Sequence, residues 1–318
     1  MSTVGPDIAL VGSARSGTSF LAAALSEHPQ VDAGAVKEPN YFSRELERGE
    51  GWYDDLFGPR TAGRRRLDAS MSYTFRHFPE ALTRLAEASP DALVVYVVRH
   101  PFDRLVSHFQ LHRDYFHNDA SATLGEALAG PSGHIYLGAG DYDHWLTAID
   151  ALFPRERVLV IPFPAVTRDD SGLRAVAMLA GLDESPLAAA RSKAAAHQNN
   201  VVSFRHPAFQ WLRRTVRQRG WYPRVRRMVG GANLRRLRGV MTQATPKDSV
   251  AEALATCSPE QLAELEACYE RARVAVTARL REQDERRGTD WATLWEAEAP
   301  PLEVPEDGPR PTPAGDTG

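Results

Sequence analysis

Three short apolar runs occur along the chain, and segments with helical character lie between them. The runs are 7–12, which reads DIALVG, then Leu93–Val98, and 156–163, which reads ERVLVIPF. Runs that are apolar at nearly every position are typical of strands buried on both faces. The same pattern predicts helices at 18–27, 79–87, 101–115, 122–128 and 142–152. Because strands alternate with helices, we expect an α/β fold of three layers, with a central parallel sheet covered on both faces.

The C-terminal half reads as mostly helical, with further helices predicted at 171–180 and 259–281. Beyond residue 297 the sequence is rich in proline and acidic residues, and it has little apolar surface to bury. Such a composition is typical of disorder. We therefore expect residues 1–297 to form one domain and residues 298–318 to form a disordered tail.

The loop after the first predicted strand has the features of an oxyanion cradle. It reads GSARSGTSFL, with Gly12 and Gly17 on either side of four residues in front of a predicted helix. This arrangement directs backbone N–H groups and the positive end of the helix at one spot, where phosphate or sulfate oxygens bind. A kinase or GTPase P-loop has lysine after the second glycine. Here Thr18 and Ser19 follow it, and the cation of the loop, Arg15, lies between the glycines.

A second candidate anion site follows the second predicted strand, in the segment VVRHPFDRLVSHF. Arg99 lies at the carboxyl end of that strand, and Ser107 lies on the helix after it. Ligands bind at the carboxyl ends of strands in parallel sheets, and an arginine with a hydroxyl suits a phosphate. P-loop nucleotide hydrolases instead hold Mg²⁺ with an acidic residue. The segment thus predicts a second phosphate site and argues against a kinase.

These motifs together resemble the sulfotransferases that use 3′-phosphoadenosine 5′-phosphosulfate. The resemblance continues through KEPNYFS, LDASMSYTF, GDYDHWL and ERVLVIPF, in the order of the family, and covers residues 7–183. It implies that the glycine loop holds the 5′-phosphosulfate of the donor and that the segment after the second strand holds its 3′-phosphate. The donor-binding residues that it implies are Ser13, Ala14, Arg15, Ser16, Gly17, Thr18, Ser19, Arg99, Ser107 and, in a segment that resembles a lid, Arg205.

The resemblance also implies which residues carry the chemistry. Arg15 would neutralise charge on the bridging oxygen, although many relatives have lysine at this position. The segment KEPNYF resembles carbohydrate-type and related bacterial sulfotransferases, in which a glutamate at the position of Glu38 is the base. His108 and His112 are alternative bases, because histidine titrates near neutrality.

One segment of the chain is strongly basic, although the net charge is only −3. Residues 185–247 contain 14 of the 38 lysines and arginines and no aspartate or glutamate. Such a segment forms either a solvated helical face or a surface for an anionic cofactor or substrate. The sequence does not decide between these readings, and the role of the arginines at 205–238 stays open.

The expected function is transfer of a sulfuryl group from this donor to a hydroxyl or amine of a carbohydrate or small natural product, with release of adenosine 3′,5′-bisphosphate. A P-loop kinase and a non-catalytic nucleotide or polyanion binder are the alternatives. There are two cysteines, no cluster of metal ligands, no signal-peptide pattern and no run of roughly 20 apolar residues. We therefore expect a cytoplasmic protein with no metal, nucleic-acid partner or membrane span, while its acceptor and oligomeric state stay open.

Overall fold

Five parallel strands form the central sheet. The computed structural model describes residues 5–195, 202–204, 242–244 and 248–299. The strands are β1 (Ile8–Gly12), β2 (Val31–Asp32), β3 (Arg65–Asp68), β4 (Leu93–Val98) and β5 (Val158–Pro162). Their order is β2-β3-β1-β4-β5, and a separate antiparallel pair joins β6 (Val202–Phe204) to β7 (Thr242–Ala244).

Helices cover both faces of the sheet. They are α1 (Thr18–Ser26), α2 (Gly49–Asp54), α3 (Ala81–Ala88), α4 (Pro101–Gln110), α5 (Leu124–Ala129), α6 (Gly133–Gly138), α7 (Tyr142–Leu152), α8 (Phe163–Thr167), α9 (Ser171–Ala180), α10 (Leu187–Ala195), α11 (Val250–Leu254), α12 (Pro259–Arg287) and α13 (Trp291–Glu298). In one group α1 packs with α8, α9 and α10, and in another α7 packs with α3 and α12. No helix within the described ranges is long and apolar enough to cross a membrane.

The three predicted strands are confirmed, and the structure adds β2 and β3. The search for apolar runs does not reveal β3, because this strand begins with two arginines. The second, Arg66, is buried and donates hydrogen bonds to Asp54 at 2.5 Å and to the carbonyl of Gly58 at 3.0 Å. These partners bind both terminal nitrogens of its guanidinium, so a charged residue occupies a strand position that a hydrophobic one would normally fill.

Several helix boundaries differ from the predicted ones by one or two residues, and the larger differences lie in α4 and α12. Helix α4 ends at Gln110 instead of residue 115, and one segment of π-helix, Leu111–Phe116, continues it. Helix α12 runs six residues beyond the predicted end at 281, to Arg287, and stops where Gly288 adopts a left-handed conformation with φ 66°. Helix α13 includes Glu298, so the folded chain extends into the first residue of the predicted tail. Residues 300–318 lie outside the described residues.

The sheet opens a crevice between the carboxyl ends of β1 and β4. These strands are neighbours, but the chain leaves β1 towards β2 and leaves β4 towards β5, on opposite sides. Ligands bind where the strand order reverses in this way. The amide of Ser13 donates to the carbonyl of Val97 at 2.8 Å, so the pairing continues into the loop after β1. The two predicted anion motifs therefore follow adjacent strands.

Strand β5 lies at one side of the sheet and receives hydrogen bonds from a helix. The side chain of Gln283 on α12 is fully buried against it. Its Nε2 donates to the carbonyl of Val160 at 2.9 Å, and its Oε1 accepts from the amide of Val160 at 3.0 Å. One glutamine thus satisfies both backbone groups that a further strand would otherwise pair.

We predict that Gln283→Leu lowers the free energy of unfolding by about 2–4 kcal/mol, because the buried N–H and C=O of Val160 lose their partners. Urea titration followed by circular dichroism measures this loss. The matched control is Glu285→Ala, at an exposed position of the same helix, where a change within about 0.5 kcal/mol is expected. A loss no larger than that of the control would contradict the role of Gln283.

Candidate functional site

The loop after β1 is shaped by two glycines that tolerate no side chain. A Cβ at Gly12 would lie 2.5 Å from the ring of Tyr96 and 2.6 Å from the hydroxyl of Thr74. Gly17 has φ 84°, and a Cβ there would meet the ring of Phe163 at 3.2 Å. Helix α1 starts directly after Gly17 without a side-chain cap. The first N–H groups of α1 are therefore directed at the loop, as an oxyanion cradle requires.

Several hydroxyls that were predicted to contact the donor are used inside the loop. Ser13 and Ser16 are buried, and their Oγ atoms lie 2.6 Å apart in a hydrogen bond. The hydroxyl of Tyr142 lies 3.4 Å from that of Ser13. Ala14 and Thr18 are also buried. The side chains of Ser13 and Ser16 therefore shape the loop, and their amides are engaged as well, since that of Ser13 donates to Val97 and that of Ser16 donates to the carbonyl of Ser13 at 3.3 Å.

Arg15 and Arg99 converge on the same point of the crevice. Arg15 Nε donates to the hydroxyl of Ser107, 92 positions later in the chain, at 3.0 Å. Arg99 Nη1 donates to the carbonyl of Arg15 at 3.1 Å. The structure thus brings the two predicted anion motifs into contact, with Arg15 bonded to both Ser107 and Arg99.

This pair of arginines is electrostatically strained. Burial, and then the charge of Arg99, lower the pKa of Arg15 to about 10. The guanidinium of Arg99 lies 4.7 Å from the centre of the Phe163 ring and 3.5 Å from a carboxylate oxygen of Asp103. Adjacent cations repel each other, so an anion with several charges would relieve the repulsion when it binds.

Tyr142 and Phe163 support this site, although the sequence assigned neither a role. The hydroxyl of Tyr142 donates to the carbonyl of Arg99 at 2.8 Å and accepts from its amide at 3.1 Å. Phe163 packs beside Gly17 and carries the guanidinium of Arg99 on its face. Both residues belong to segments that resemble the family, GDYDHWL and ERVLVIPF, and this was the signal available for them.

The KEPNYF segment lies beside the first turn of α1. Lys37 Nζ donates to the hydroxyl of Ser19 at 2.8 Å and lies 3.6 Å from a carboxylate oxygen of Glu38. The side chain of Glu38 is 43% exposed, so solvent or a ligand reaches its carboxylate. The structure thus brings the predicted base to the edge of the predicted donor loop.

The two candidate histidines differ in accessibility. His108 is buried, and its Nδ1 lies 3.3 Å from Nη1 of Arg104. Burial, then Arg104, His112 and Arg15, hold its pKa well below that of free histidine. His112 lies on the π-helix and is partly exposed, and burial is the main cause that lowers its pKa. His108 is therefore closed to a ligand, which weakens it as a base, whereas His112 stays accessible.

A cavity of about 370 Å³ lies beside Lys37, between α1 and the ends of β2 and β3. Small residues form most of its wall, and Asp32, Lys37 and Arg64 contribute charged groups. Its lining residues are Ala22, Ser26, Val31, Asp32, Ala33, Gly34, Ala35, Lys37, Arg64, Leu67 and Ala69. Its volume falls in the range of small-molecule sites.

The predicted lid residue, Arg205, lies outside the described residues, and so do the other arginines between residues 205 and 238. Within the described part of the chain, no three His, Cys, Asp or Glu side chains are grouped so that they could hold a metal ion.

Comparison with known proteins agrees with this geometry. The sulfotransferase domain family matches residues 5–174, slightly more than half of the chain. The protein therefore belongs to the sulfotransferase family.

Human heparan sulfate glucosamine 3-O-sulfotransferase 6 is 33% identical over 183 residues, which is 52% of this chain and 49% of that protein. The human 3-O-sulfotransferase 3B1 is 34% identical over 177 residues, 52% of this chain and 43% of that protein. The chain thus spans about half the length of these curated relatives, or less. A sulfotransferase structure from Alicyclobacillus acidocaldarius, at 29% identity, superposes with a TM-score of 0.50 over 56% of this chain and 81% of its own.

We predict that His108 makes stability depend on pH on the acid side of neutrality. Its pKa in the folded protein lies below the ordinary value of about 6.5. As the pH falls below about 6.5, His108 takes up a proton in the unfolded chain but stays neutral in the folded protein. Stability that is present above this pH is thus lost as the pH falls towards the lower pKa of the folded state, by at most about 1.4 kcal/mol per pH unit.

His108→Phe removes this proton site and keeps a ring at the position. The difference in unfolding free energy between the wild-type protein and His108→Phe, measured by urea titration, should be constant between about pH 7 and 8 and should shift in favour of the variant at lower pH. Parallel curves over the whole range would show that His108 takes up a proton freely when folded.

Proposed function

We propose that this protein transfers the sulfuryl group of 3′-phosphoadenosine 5′-phosphosulfate to a hydroxyl, or an amine, of a carbohydrate or small natural-product acceptor. The observation that carries the proposal is the convergence of Arg15, Arg99 and Ser107 in one crevice. A nucleotide with a phosphosulfate at one end of its ribose and a phosphate at the other presents anions to two loops at once. A single phosphate would need only the first loop.

The donor fits the charge distribution of the crevice. The backbone of the loop and the first turn of α1 would hold the 5′-phosphosulfate, with Thr18 and Ser19 at the helix start. Arg99 and Ser107 would hold the 3′-phosphate. Because Ser107 also accepts a hydrogen bond from Arg15 in the free protein, donor binding would exchange that contact for contacts with the ligand.

Arg15 is suited to stabilise the leaving group. Sulfuryl transfer needs positioning and charge neutralisation more than covalent help, as phosphoryl transfer does. Arginine normally holds its proton far more tightly than lysine does. Here the pKa of Arg15 falls to about 10, close to that of ordinary lysine at about 10.4. Arg15 is thus still a cation at neutral pH, and it holds its proton less tightly than an ordinary arginine does.

Glu38 is the proposed base for the acceptor. It would take the hydroxyl proton as the acceptor oxygen bonds to sulfur and the bond from sulfur to the bisphosphate oxygen breaks. Lys37, between Glu38 and Ser19, would neutralise charge on the transferred group. The cavity beside Lys37 offers room for the acceptor. The names of the relatives, which act on a glucosamine of heparan sulfate, support a sugar acceptor.

We predict that Arg99→Ala and Ser107→Ala weaken the binding of adenosine 3′,5′-bisphosphate. Arg99→Ala should raise its dissociation constant about tenfold to a hundredfold, the usual loss for a hydrogen bond to a charged group, and Ser107→Ala should raise it less. Isothermal calorimetry measures both. Arg281→Ala removes an exposed arginine of α12 that pairs with Glu296, and it should bind like the wild type. Normal affinity in both crevice variants would refute the assignment of the 3′-phosphate.

We predict that Glu38→Gln lowers kcat by about 10²–10⁴, the usual contribution of a positioned acid–base group, while donor affinity persists. Glutamine keeps the shape of the side chain and removes its basicity. The assay is mass spectrometry of sulfated products from a panel of sugar acceptors. It is run with and without Mg²⁺, because the alternative, a P-loop kinase, would depend on that ion. His112→Ala is the matched comparison and should cost less. Normal turnover by Glu38→Gln together with loss in His112→Ala would transfer the role of base to His112.

A further inference from the structure

A buried carboxylate lies beneath the KEPNYF segment. Asp68, at the end of β3, is fully buried and accepts hydrogen bonds from three hydroxyls. Ser70 donates to its Oδ1 at 2.5 Å, while Tyr73 and Tyr53 donate to its Oδ2 at 2.7 Å and 2.9 Å. Burial and the charge of Asp68 raise the pKa of both tyrosines well above the ordinary value, so both remain protonated donors.

A chain of hydrogen bonds leads from this carboxylate to Glu38. The amide of Asn40 donates to the hydroxyl of Ser70 at 2.9 Å. The side chain of Asn40 in turn donates from Nδ2 to the carbonyl of Glu38 at 2.8 Å. The hydroxyl of Ser72 fixes the orientation of that side chain, because it donates to Asn40 Oδ1 at 2.6 Å.

The turn that this chain holds has an uncommon backbone. Asn40 has φ 53°, in the left-handed region that costs most residues free energy. Its carbonyl accepts from the amides of residues 43, 44 and 45 at 3.2, 2.9 and 3.1 Å. Asparagine tolerates this region better than most residues, and here the hydrogen bonds to Ser70 and Ser72 fix the turn beside the exposed side chain of Glu38.

We propose that Asp68 is a positioning residue for Glu38, which it holds through Ser70 and Asn40. The inference rests on the proposed role of Glu38 as base. Burial is the main cause that raises the pKa of Asp68, and the charge of Glu38 adds to it. A base on an exposed segment needs such support, because displacing a reacting group by about 1 Å costs about a hundredfold in rate.

Ser70→Ala breaks the relay and leaves Asp68 with its two tyrosines. Hydrogen exchange of peptides that cover residues 38–42, followed by mass spectrometry on the full chain, should become at least about tenfold faster, because the Asn40 amide loses its acceptor. Tyr53→Phe is the matched control. It removes one donor from the same carboxylate, keeps the ring that stacks on Tyr41 at 4.7 Å, and should leave this exchange near the wild-type rate.

The kinetic test measures the effect of Ser70→Ala in the wild-type protein and in Glu38→Gln. Ser70→Ala should lower kcat about ten- to hundredfold with unchanged affinity for adenosine 3′,5′-bisphosphate, and it should have almost no further effect in Glu38→Gln. Asn40→Ala removes the other link of the relay, from Nδ2 to the carbonyl of Glu38, while the amide of residue 40 keeps Ser70 as its acceptor. It should lower kcat to a similar extent, so a folding defect of Ser70→Ala would not remove the kinetic test.

Unchanged exchange in Ser70→Ala, or a loss of kcat by a relay variant that is equally large in the wild-type protein and in Glu38→Gln, would overturn the inference. These results are separate from the fate of the proposed function. Absence of sulfated product with wild-type protein would refute the function, whereas the exchange measurement would still decide whether the relay holds the turn. If kcat falls in Glu38→Gln but in neither Ser70→Ala nor Asn40→Ala, the proposed function stands and the proposed role of Asp68 is wrong.

Discussion

The pairing of β1 with β4 is the constraint on which the rest of the site depends. It aligns two carboxyl ends that are far apart in sequence and brings two guanidinium groups into one partly buried crevice. The cost of this arrangement is visible in Arg15, whose pKa falls to about 10 because of burial and the neighbouring charge of Arg99. The folded protein bears this cost because strand pairing and packing of the apolar core hold the strands together. A multiply charged anion then finds its binding groups already assembled.

The sequence was sufficient for features that depend on local or ordered patterns. Continuous apolar runs predicted β1, β4 and β5, and the two glycines predicted the loop with Arg15 inside it. The motif order then placed Arg99 and Ser107 in the same site. Each of these features can be recognised in the sequence, because sterics or burial require particular residue types at fixed spacing.

The features that escaped prediction depend on partners distant in sequence. Strand β3 was hidden because the charge of Arg66 is satisfied by Asp54, which lies on another element. The burial of His108, beside Arg104 and Tyr136, follows from how α4 packs and not from its own sequence. The role of Asp68 is also visible only in three dimensions, since a single aspartate in LDASMSYTF does not reveal two tyrosines and a serine gathered around it.

The amide of Gln283 has a consequence for how this protein meets other chains. A sheet can be extended by a foreign strand only where a border strand has free N–H and C=O groups. At β5, the side chain of Gln283 is hydrogen-bonded to the amide and the carbonyl of Val160, and α12 covers both groups. The opposite border strand, β2, is two residues long and offers almost no ladder. Self-association of this central sheet by strand addition is therefore disfavoured at both borders.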